Sequence, residues 1–185
     1  MLSESEKRLL LRVARQSIEA AVNNTSKPEV GTCPPSLMES CGAFVTLHEA
    51  GELRGCISYI EGVKPLIETV QEVAVKSALE DPRFTPVVQE ELSNLEIEIS
   101  VISPMRQIQN IDEIEVGKHG LLLELGNHRG LLLPQVAVEY GWDKETFLNQ
   151  TSRKAGLPTT AWKDRSVKIF IFTAEIFSEQ KSKLK

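Results

Sequence analysis

The segment Leu-Arg-Gly-Cys-Ile at residues 53–57 combines the residue types of this sequence that are best suited to chemistry. Arg54 and Cys56 are two positions apart, so on a β-strand their side chains project from the same face, about 6–7 Å apart along the chain. A guanidinium at that distance can stabilise a thiolate and lower its pKa. Gly55 leaves a gap between them that admits a ligand or another backbone. The pattern predicts an anion-accepting site with a reactive thiol.

The same segment also has a structural interpretation. Free cysteine is among the residue types most often buried, and it frequently only packs in a core. A two-residue turn that pairs Glu49 with Glu52 would place Cys56 on the same strand face as Val45, which indicates the core. A three-residue turn would reverse that parity. The register of the hairpin therefore decides between a core position and a reactive one.

Carboxylates elsewhere in the chain are candidates for proton transfer. Glu96 and Glu98 share one face of a predicted strand, as paired acid–base carboxylates would, although a solvated face has the same pattern. Asp81 follows a predicted helix and can either assist catalysis or bind turn amides and a neighbouring arginine. His48 is near the Cys56 hairpin and can act as a base for the thiol, or be a solvated turn residue. We take Glu98 and Asp81 as the candidate carboxylates.

Several common sites lack their sequence signatures. The chain has no phosphate-binding glycine pattern, no Cys-x-x-Cys, no close histidine pair, no His-Glu-x-x-His and no Gly-x-Ser-x-Gly elbow. The sequence therefore predicts no metal ligands and no cofactor-binding residues, and it leaves any cofactor unknown.

Charge and cysteine content bound the class of protein. The formal net charge of −5 argues against a nucleic-acid-binding protein that neutralises phosphates. Three cysteines, odd in number and sparse, are typical of free thiols in a reducing compartment. No signal peptide and no apolar run of membrane-spanning length is evident. We expect a cytoplasmic protein with no membrane partner.

The N-terminal part of the chain predicts two helices, a hairpin and a further strand. Ser3 and Glu6 fit a capping box, and apolar residues follow at helical spacing. After residue 94, apolar residues alternate with polar ones, which is typical of a half-buried strand. The predicted elements are a helix at 4–23, strands at 43–48 and 53–60 joined by a turn at 49–52, a helix from 65 to about 81, and a strand at 95–101.

The C-terminal part predicts a second hairpin, a helix and a central strand. Asp143 can cap the helix, and Gly156 suits the left-handed position at its end. Apolar residues on both faces indicate that the last strand is central. The predicted elements are strands at 121–125 and 131–133 flanking a turn at 126–130, a helix at 144–154, a strand at 167–174, and a basic tail at 180–185 that frays.

Fold class and domain organisation follow from these elements. Strands that come as hairpins predict an α+β fold with mainly antiparallel sheets flanked by helices. With 185 residues, a single domain over 1–185 is expected. Pro104 and scattered charges predict a subdomain seam around residues 103–119.

The sequence resembles the AMMECR family, whose prokaryotic members are known as protein A of the AmmeMemoRadiSam system. The likeness extends over about residues 42–177, and the motifs follow in the family's order. Two positions depart from the pattern, since Ser58 stands where the family usually has glycine and Ser152 where it often has cysteine. The matching motifs are Gly-Ala-Phe-Val-Thr-Leu at 42–47, the segment at 53–57, Asp-Pro-Arg-Phe at 81–84, Leu-Glu-Ile-Glu-Ile-Ser-Val at 95–101, Gly130 with Leu-Pro-Gln-Val at 133–136, Lys-Ala-Gly-Leu at 154–157, and Trp162.

The resemblance implies two unequal subdomains with antiparallel sheets and flanking helices, and a cleft to which residues 53–57 contribute. It implies no particular reaction. The association of prokaryotic members with Memo-type and radical SAM proteins implies a shared pathway.

Two functions compete on this basis. The first is an enzyme acting on a small molecule or a modified residue. Cys56 would be its nucleophile or a thiol that contacts the ligand, Arg54 would hold an anionic group, and Glu98 or Asp81 would assist proton transfer. The second is a non-catalytic binding or adaptor module that works with Memo-type and radical SAM proteins. In that case Gly55 would allow close packing and Arg54 would form a buried ion pair.

Overall fold

Two four-stranded antiparallel sheets and four α-helices make up residues 1–179, the part of the chain that the computed structural model describes. The predicted α+β class with mainly antiparallel sheets is confirmed. The tail at 180–185, which we predicted to fray, lies outside the described residues. The helices are α1 (Glu4–Val22), α2 (Leu66–Leu79), α3 (Pro134–Glu139) and α4 (Lys144–Lys154). The strands are β1 (Gly42–Glu49), β2 (Glu52–Tyr59), β3 (Leu95–Ile102), β4 (Arg106–Ile108), β5 (Gly120–Leu125), β6 (His128–Leu132), β7 (Lys168–Phe172) and β8 (Ala174–Ser178).

The chain divides into two compact units. The first unit contains residues 1–102 and the described residues from Glu175 onward, and the second unit runs from Ser103 to Ala174. The single domain over 1–185 and the subdomain seam around 103–119 stay predictions. Within residues 1–179, no helix is long and apolar enough to cross a membrane.

In the first unit, α1 and α2 cover one face of a sheet with the strand order β2-β1-β3-β8. The covered face carries Val45 and Leu47 from β1 and Ile97 and Ile99 from β3, all without solvent exposure. Because successive side chains of a strand point to opposite faces, Thr46 and the other residues of alternate parity lie on the face away from the helices. We call this second face the outer face of the first sheet.

In the second unit, a sheet with the order β4-β7-β5-β6 packs against α3 and α4. Leu121 and Leu123 from β5 are buried with Phe147 and Leu148 from α4. The capping predictions for α4 hold, because the Asp143 side chain accepts a hydrogen bond from the Thr146 N–H.

Three short elements were not predicted, and one predicted strand is wrong at its end. The elements α3, β4 and β8 have only six, three and five residues, too few to show a clear periodicity. The strand predicted at 167–174 ends at Phe172, and β8 begins at Ala174 in the other sheet. A single residue, Thr173, separates two apolar strands that the sequence pattern joined. The turn predicted at 126–130 is also shorter, since β6 begins at His128.

Candidate functional site

The hairpin that carries Cys56 closes with a two-residue turn. Glu49 is opposite Glu52, and His48 is opposite Leu53. The turn residues Ala50 and Gly51 both have positive φ angles, 51° and 84°. Two left-handed residues are typical of the turn type whose twist matches that of the adjoining strands. The turn length alone would therefore place Cys56 opposite Val45.

A β-bulge at Arg54 changes that register. Leu47 is opposite Gly55 rather than Arg54, so Arg54 is an extra residue in β2, and Cys56 is opposite Thr46. The prediction that a two-residue turn puts Cys56 on the core face with Val45 is therefore wrong. A bulge adds one residue to one strand and reverses the face of every residue beyond it. The signal for it in the sequence was the glycine inside a strand.

Gly55 is needed for the packing of α2 against β2. A Cβ atom at this position would overlap the backbone oxygen of Ser77, which lies in α2. The Ser77 hydroxyl accepts a hydrogen bond from the Ile57 N–H at 2.9 Å, which joins helix and strand beside the glycine. The gap beside Cys56 is therefore filled by a helix backbone from the core side.

Arg54 forms a bidentate ion pair with Glu91. Its Nε and Nη2 donate to the two carboxylate oxygens at 2.7 and 3.0 Å, and its guanidinium lies 6.0 Å from the centre of the Phe84 ring. The guanidinium holds the pKa of Glu91 below its usual range. Because this charge is neutralised by Glu91, the expectation that Arg54 lowers the pKa of Cys56 is wrong. The Nη1 of Arg54 is buried and has no hydrogen-bond partner among residues 1–179.

Asp81 holds the backbone of Cys56 together with Arg83. The Asp81 carboxylate is 5% exposed, and it accepts hydrogen bonds from the Cys56 N–H at 2.8 Å and from Arg83 Nη2 at 2.6 Å. Arg83 Nη2 also donates to the Cys56 carbonyl oxygen at 3.2 Å. The adjacent guanidinium keeps the pKa of Asp81 far below its usual range, so the carboxylate is ionised at neutral pH. This geometry suits a positioning group better than a proton donor.

The Cys56 thiol lies on the outer face of the first sheet and is half-buried. Its Sγ is 3.3 Å from Thr46 Oγ1 in the neighbouring strand. Burial raises the pKa of the thiol, and the Thr46 hydrogen bond and the charge of Arg83 offset this only in part. Cys56 is therefore protonated at neutral pH in the isolated protein.

Glu98 stands in the same cross-strand row as Cys56. Thr46 is opposite Cys56 on one side and opposite Glu98 on the other, so the row crosses three strands. His48 and Glu96 form the next row on this face, also directly opposite each other. Sequence reasoning missed Thr46, whose only signal was its parity relative to His48.

The structure thus brings three of the four predicted site residues around one strand segment. Asp81 contacts the Cys56 backbone, Glu98 shares the row of the thiol, and Arg54 is directed to Glu91 instead. Their catalytic roles stay predictions. Among residues 1–179, no group of three or more His, Cys, Asp or Glu side chains is arranged to hold a metal ion.

The chain is similar over most of its length to archaeal proteins. The AMMECR1 family model matches residues 11–177. A protein of Thermococcus onnurineus is 46% identical over 183 residues, covering 92% of this chain and 89% of the relative. Protein PH0010 of Pyrococcus horikoshii is 44% identical over 182 residues, covering 92% of this chain and 88% of the relative. The crystal structure of PH0010, an uncharacterized protein, matches with a TM-score of 0.92 and 42% identity, over 97% of this chain and 94% of that chain.

Proposed function

This chain belongs to the AMMECR1 family, and from that premise we propose that it is an enzyme whose Cys56 thiol acts on a small molecule or a modified residue. Family membership does not specify a reaction, so the proposal rests on one observation. The thiol lies on the outer face of the first sheet, away from the helical core, and contacts the Thr46 hydroxyl in a row that includes Glu98. A purely structural cysteine would be expected on the other face, among apolar side chains.

The row supports a nucleophilic step with defined proton movements. Cys56 and Glu98 lie on strands that are two spacings apart, about 10 Å between their Cα atoms, with Thr46 between them. The thiol proton passes through the Thr46 hydroxyl to the Glu98 carboxylate. The sulfur then bonds to an electrophilic carbon of the substrate as the bond to its leaving group breaks. The leaving group takes the proton from Glu98, and water later releases the product and returns a proton to the sulfur.

Arg54 and Asp81 have supporting roles in this proposal. The Nη1 of Arg54 is buried and unpartnered among residues 1–179, so it must be uncovered before its N–H groups can hold an anionic group of the substrate, while Glu91 fixes the rest of the guanidinium. Asp81 positions Cys56 through its backbone N–H. Glu98 is the proton acceptor, because the strong ion pair of Asp81 with Arg83 leaves its carboxylate a weak base.

Thiol labelling tests whether Cys56 is available for this chemistry. We expect iodoacetamide to alkylate Cys56 in the folded protein, at a rate that rises with pH through a midpoint above the ordinary value of about 8.5. Peptide-resolved mass spectrometry separates Cys56 from Cys33 and Cys41. Thr46→Val should move the midpoint higher, since the threonine hydrogen bond favours the thiolate. Alkylation of Cys56 only under unfolding conditions would remove the nucleophile role.

A cellular test asks whether the thiol is needed for function. A strain in which the gene encodes Cys56→Ser should accumulate the same metabolites as a deletion strain, as seen by untargeted mass spectrometry of extracts. Cys41→Ser is the matched control and should resemble the parent strain. A Cys56→Ser strain with the parental metabolite profile would contradict an enzyme that acts through this thiol.

A binding or adaptor module that works with Memo-type and radical SAM proteins is the second candidate. The observation that favours it is that Arg54 and Asp81 are both engaged in ion pairs within the chain. In this case Cys56→Ser would copurify with a recombinant Memo-type or radical SAM protein as the parent does. A Cys56→Ser strain with the metabolite profile of the deletion strain, while copurification persists, would favour the enzyme.

A further inference from the structure

We propose that the second unit binds a small molecule that carries a phosphate or carboxylate group on a planar ring. The site is a groove of about 660 Å³, which we call the Trp162 groove. It is lined by residues drawn from 107–111, in and after β4, and from 162–169, leading into β7. Its volume is in the range of small-molecule sites. The groove uses no residue of the proposed Cys56 site, so the two proposals can fail independently.

The rim of the groove is cationic in a chain whose net charge is −5. Lys163, Arg165 and Lys168 line it, all with exposed side chains, against a single acidic residue, Asp164. Asp164 is engaged in its own turn, where it accepts hydrogen bonds from the N–H and hydroxyl of Ser166 at 2.9 and 2.6 Å. Within the described residues, no ion pair involves Arg165 or Lys168, and Glu124, which lies directly opposite Lys168 in β5, pairs with Arg129 instead. Two cations are therefore available to an anionic group.

Trp162 supplies a planar wall with a fixed orientation. The side chain is half-buried against the core of the second unit. Its Nε1 donates a hydrogen bond to Asn149 Oδ1 at 2.8 Å, which holds the indole in place. Lys163 Nζ lies over the indole ring, 4.9 Å from its centre, and pairs with Glu145, so its charge is already used and a ligand ring must displace it from that face of the indole. A held aromatic side chain is suited to packing against another flat ring.

Two amide side chains face the groove from the edge of the sheet. Gln107 and Gln109 are exposed on either side of the buried Ile108, at the end of the sheet where β4 is the edge strand. Neither side chain has a hydrogen-bond partner in residues 1–179. An amide offers both donors and acceptors, as the polar substituents of a heteroaromatic ring require. Cations, a flat wall and free amides together define the ligand class.

Titration with two probes tests the groove directly. AMP presents a phosphate with a purine ring, and nicotinic acid presents a carboxylate with a pyridine ring. We expect saturable binding of at least one of them by isothermal titration calorimetry, with a change in tryptophan fluorescence. Adenosine or nicotinamide, which lack the charge, should bind at least about tenfold more weakly, since hydrogen bonds to charged groups are the stronger ones.

Variants locate the binding in the groove. The double variant Arg165→Gln, Lys168→Gln should bind the same probe at least about tenfold more weakly, because both charged donors are lost. Lys118→Gln, an exposed lysine of the same unit outside the groove, is the matched control and should bind like the parent. Trp162→Phe should weaken binding and abolish most of the fluorescence change. Cys56→Ser should bind like the parent, which separates this result from the proposed enzyme.

Three outcomes would overturn the proposal. One is the absence of saturable binding of both probes at millimolar concentration. Another is unchanged affinity in the Arg165→Gln, Lys168→Gln variant while circular dichroism shows that it is folded. The last is binding of inorganic phosphate as tight as that of AMP, which would leave no role for the ring or for Trp162.

Discussion

At the residue scale, the backbone and the side chain of Cys56 are held by different groups. Asp81 accepts its N–H, Arg83 donates to its carbonyl oxygen, and Thr46 contacts its sulfur. Because β2 is an edge strand, the first two contacts satisfy backbone groups that would otherwise be open to another strand. The thiol is thus fixed from the edge side while its sulfur lies on the outer face of the sheet. The backbone of Cys56 therefore has a structural role, while its sulfur is available for a chemical one.

The Asp81 contact can be tested by its removal. Asp81→Ala leaves the Cys56 N–H without its acceptor and Arg83 without its ion pair. Because a buried donor that loses its acceptor keeps its full desolvation penalty, we expect the free energy of unfolding at pH 7 to fall by about 2–3 kcal/mol. Urea unfolding followed by circular dichroism measures the difference.

The control for this variant is Asp112→Ala, an exposed aspartate that should change stability little. The effect of Asp81→Ala should also depend on pH. The pKa of Asp81 is lower in the folded protein than in the unfolded chain, so its contribution is present above the unfolded value of about 3.9 and is lost as the pH falls toward the folded value. A difference between parent and variant that does not shrink below pH 4 would contradict this account.

At the element scale, the β1–β2 hairpin and α2 depend on each other. The bulge at Arg54 sets which residues of β2 face α2, and Gly55 is the one that meets the helix backbone. Ser77 of α2 then bonds to the Ile57 N–H and also donates to the Val45 carbonyl at 2.8 Å. The glycine, the bulge and the helix contact therefore form one packing unit.

Gly55→Ala tests this packing unit. The added methyl group has no room beside the Ser77 carbonyl, so α2 or β2 must shift, and we expect a loss of about 1–3 kcal/mol in the free energy of unfolding. Gly31→Ala is the matched control, because a Cβ at Gly31 meets no atom within 4 Å. Equal stability of the two variants in urea unfolding would show that the helix does not constrain residue 55.

At the scale of the whole molecule, ion pairs make the free energy of unfolding decrease as the pH becomes acidic. Arg54 lowers the pKa of Glu91, Lys64 lowers that of Glu72, and Arg83 lowers that of Asp81. A carboxylate whose pKa is depressed on folding stabilises the protein above its unfolded pKa, and that stability is lost as the pH falls. The chain should therefore be most stable between about pH 5 and 8.

The pH dependence is measured by urea unfolding between pH 3 and pH 8. We expect the free energy of unfolding to be level near neutrality and to fall below about pH 5, as the unfolded chain takes up protons more readily than the folded one. Glu91→Gln should make the decline shallower, whereas Glu145→Gln, at an exposed position, should leave its slope unchanged. A free energy that is constant down to pH 3 would show that these ion pairs do not contribute.

The sequence by itself determined the family, the fold class and the longer elements. The capping box of Ser3 and Glu6 begins α1 as predicted, and the alternation at 95–101 corresponds to β3. These features depend on contacts between residues that are close in the chain. The spacing of apolar residues and of capping residues therefore predicts them. The family is visible for a similar reason, because ordered motifs are a property of the chain alone.

Only the tertiary structure decided where Cys56 faces and which groups surround it. The hairpin has the two-residue turn, one of the two lengths considered, yet one extra residue in β2 reversed the face of Cys56. Arg54 pairs with Glu91, 37 residues away, instead of acting on the thiol two residues away. A bulge and a distant ion pair depend on how α2 and the segment after it pack on the sheet, and local spacing contains no information about that packing. The segment at 53–57 was identified from the sequence, but the chemistry open to its thiol follows from contacts that form only on folding.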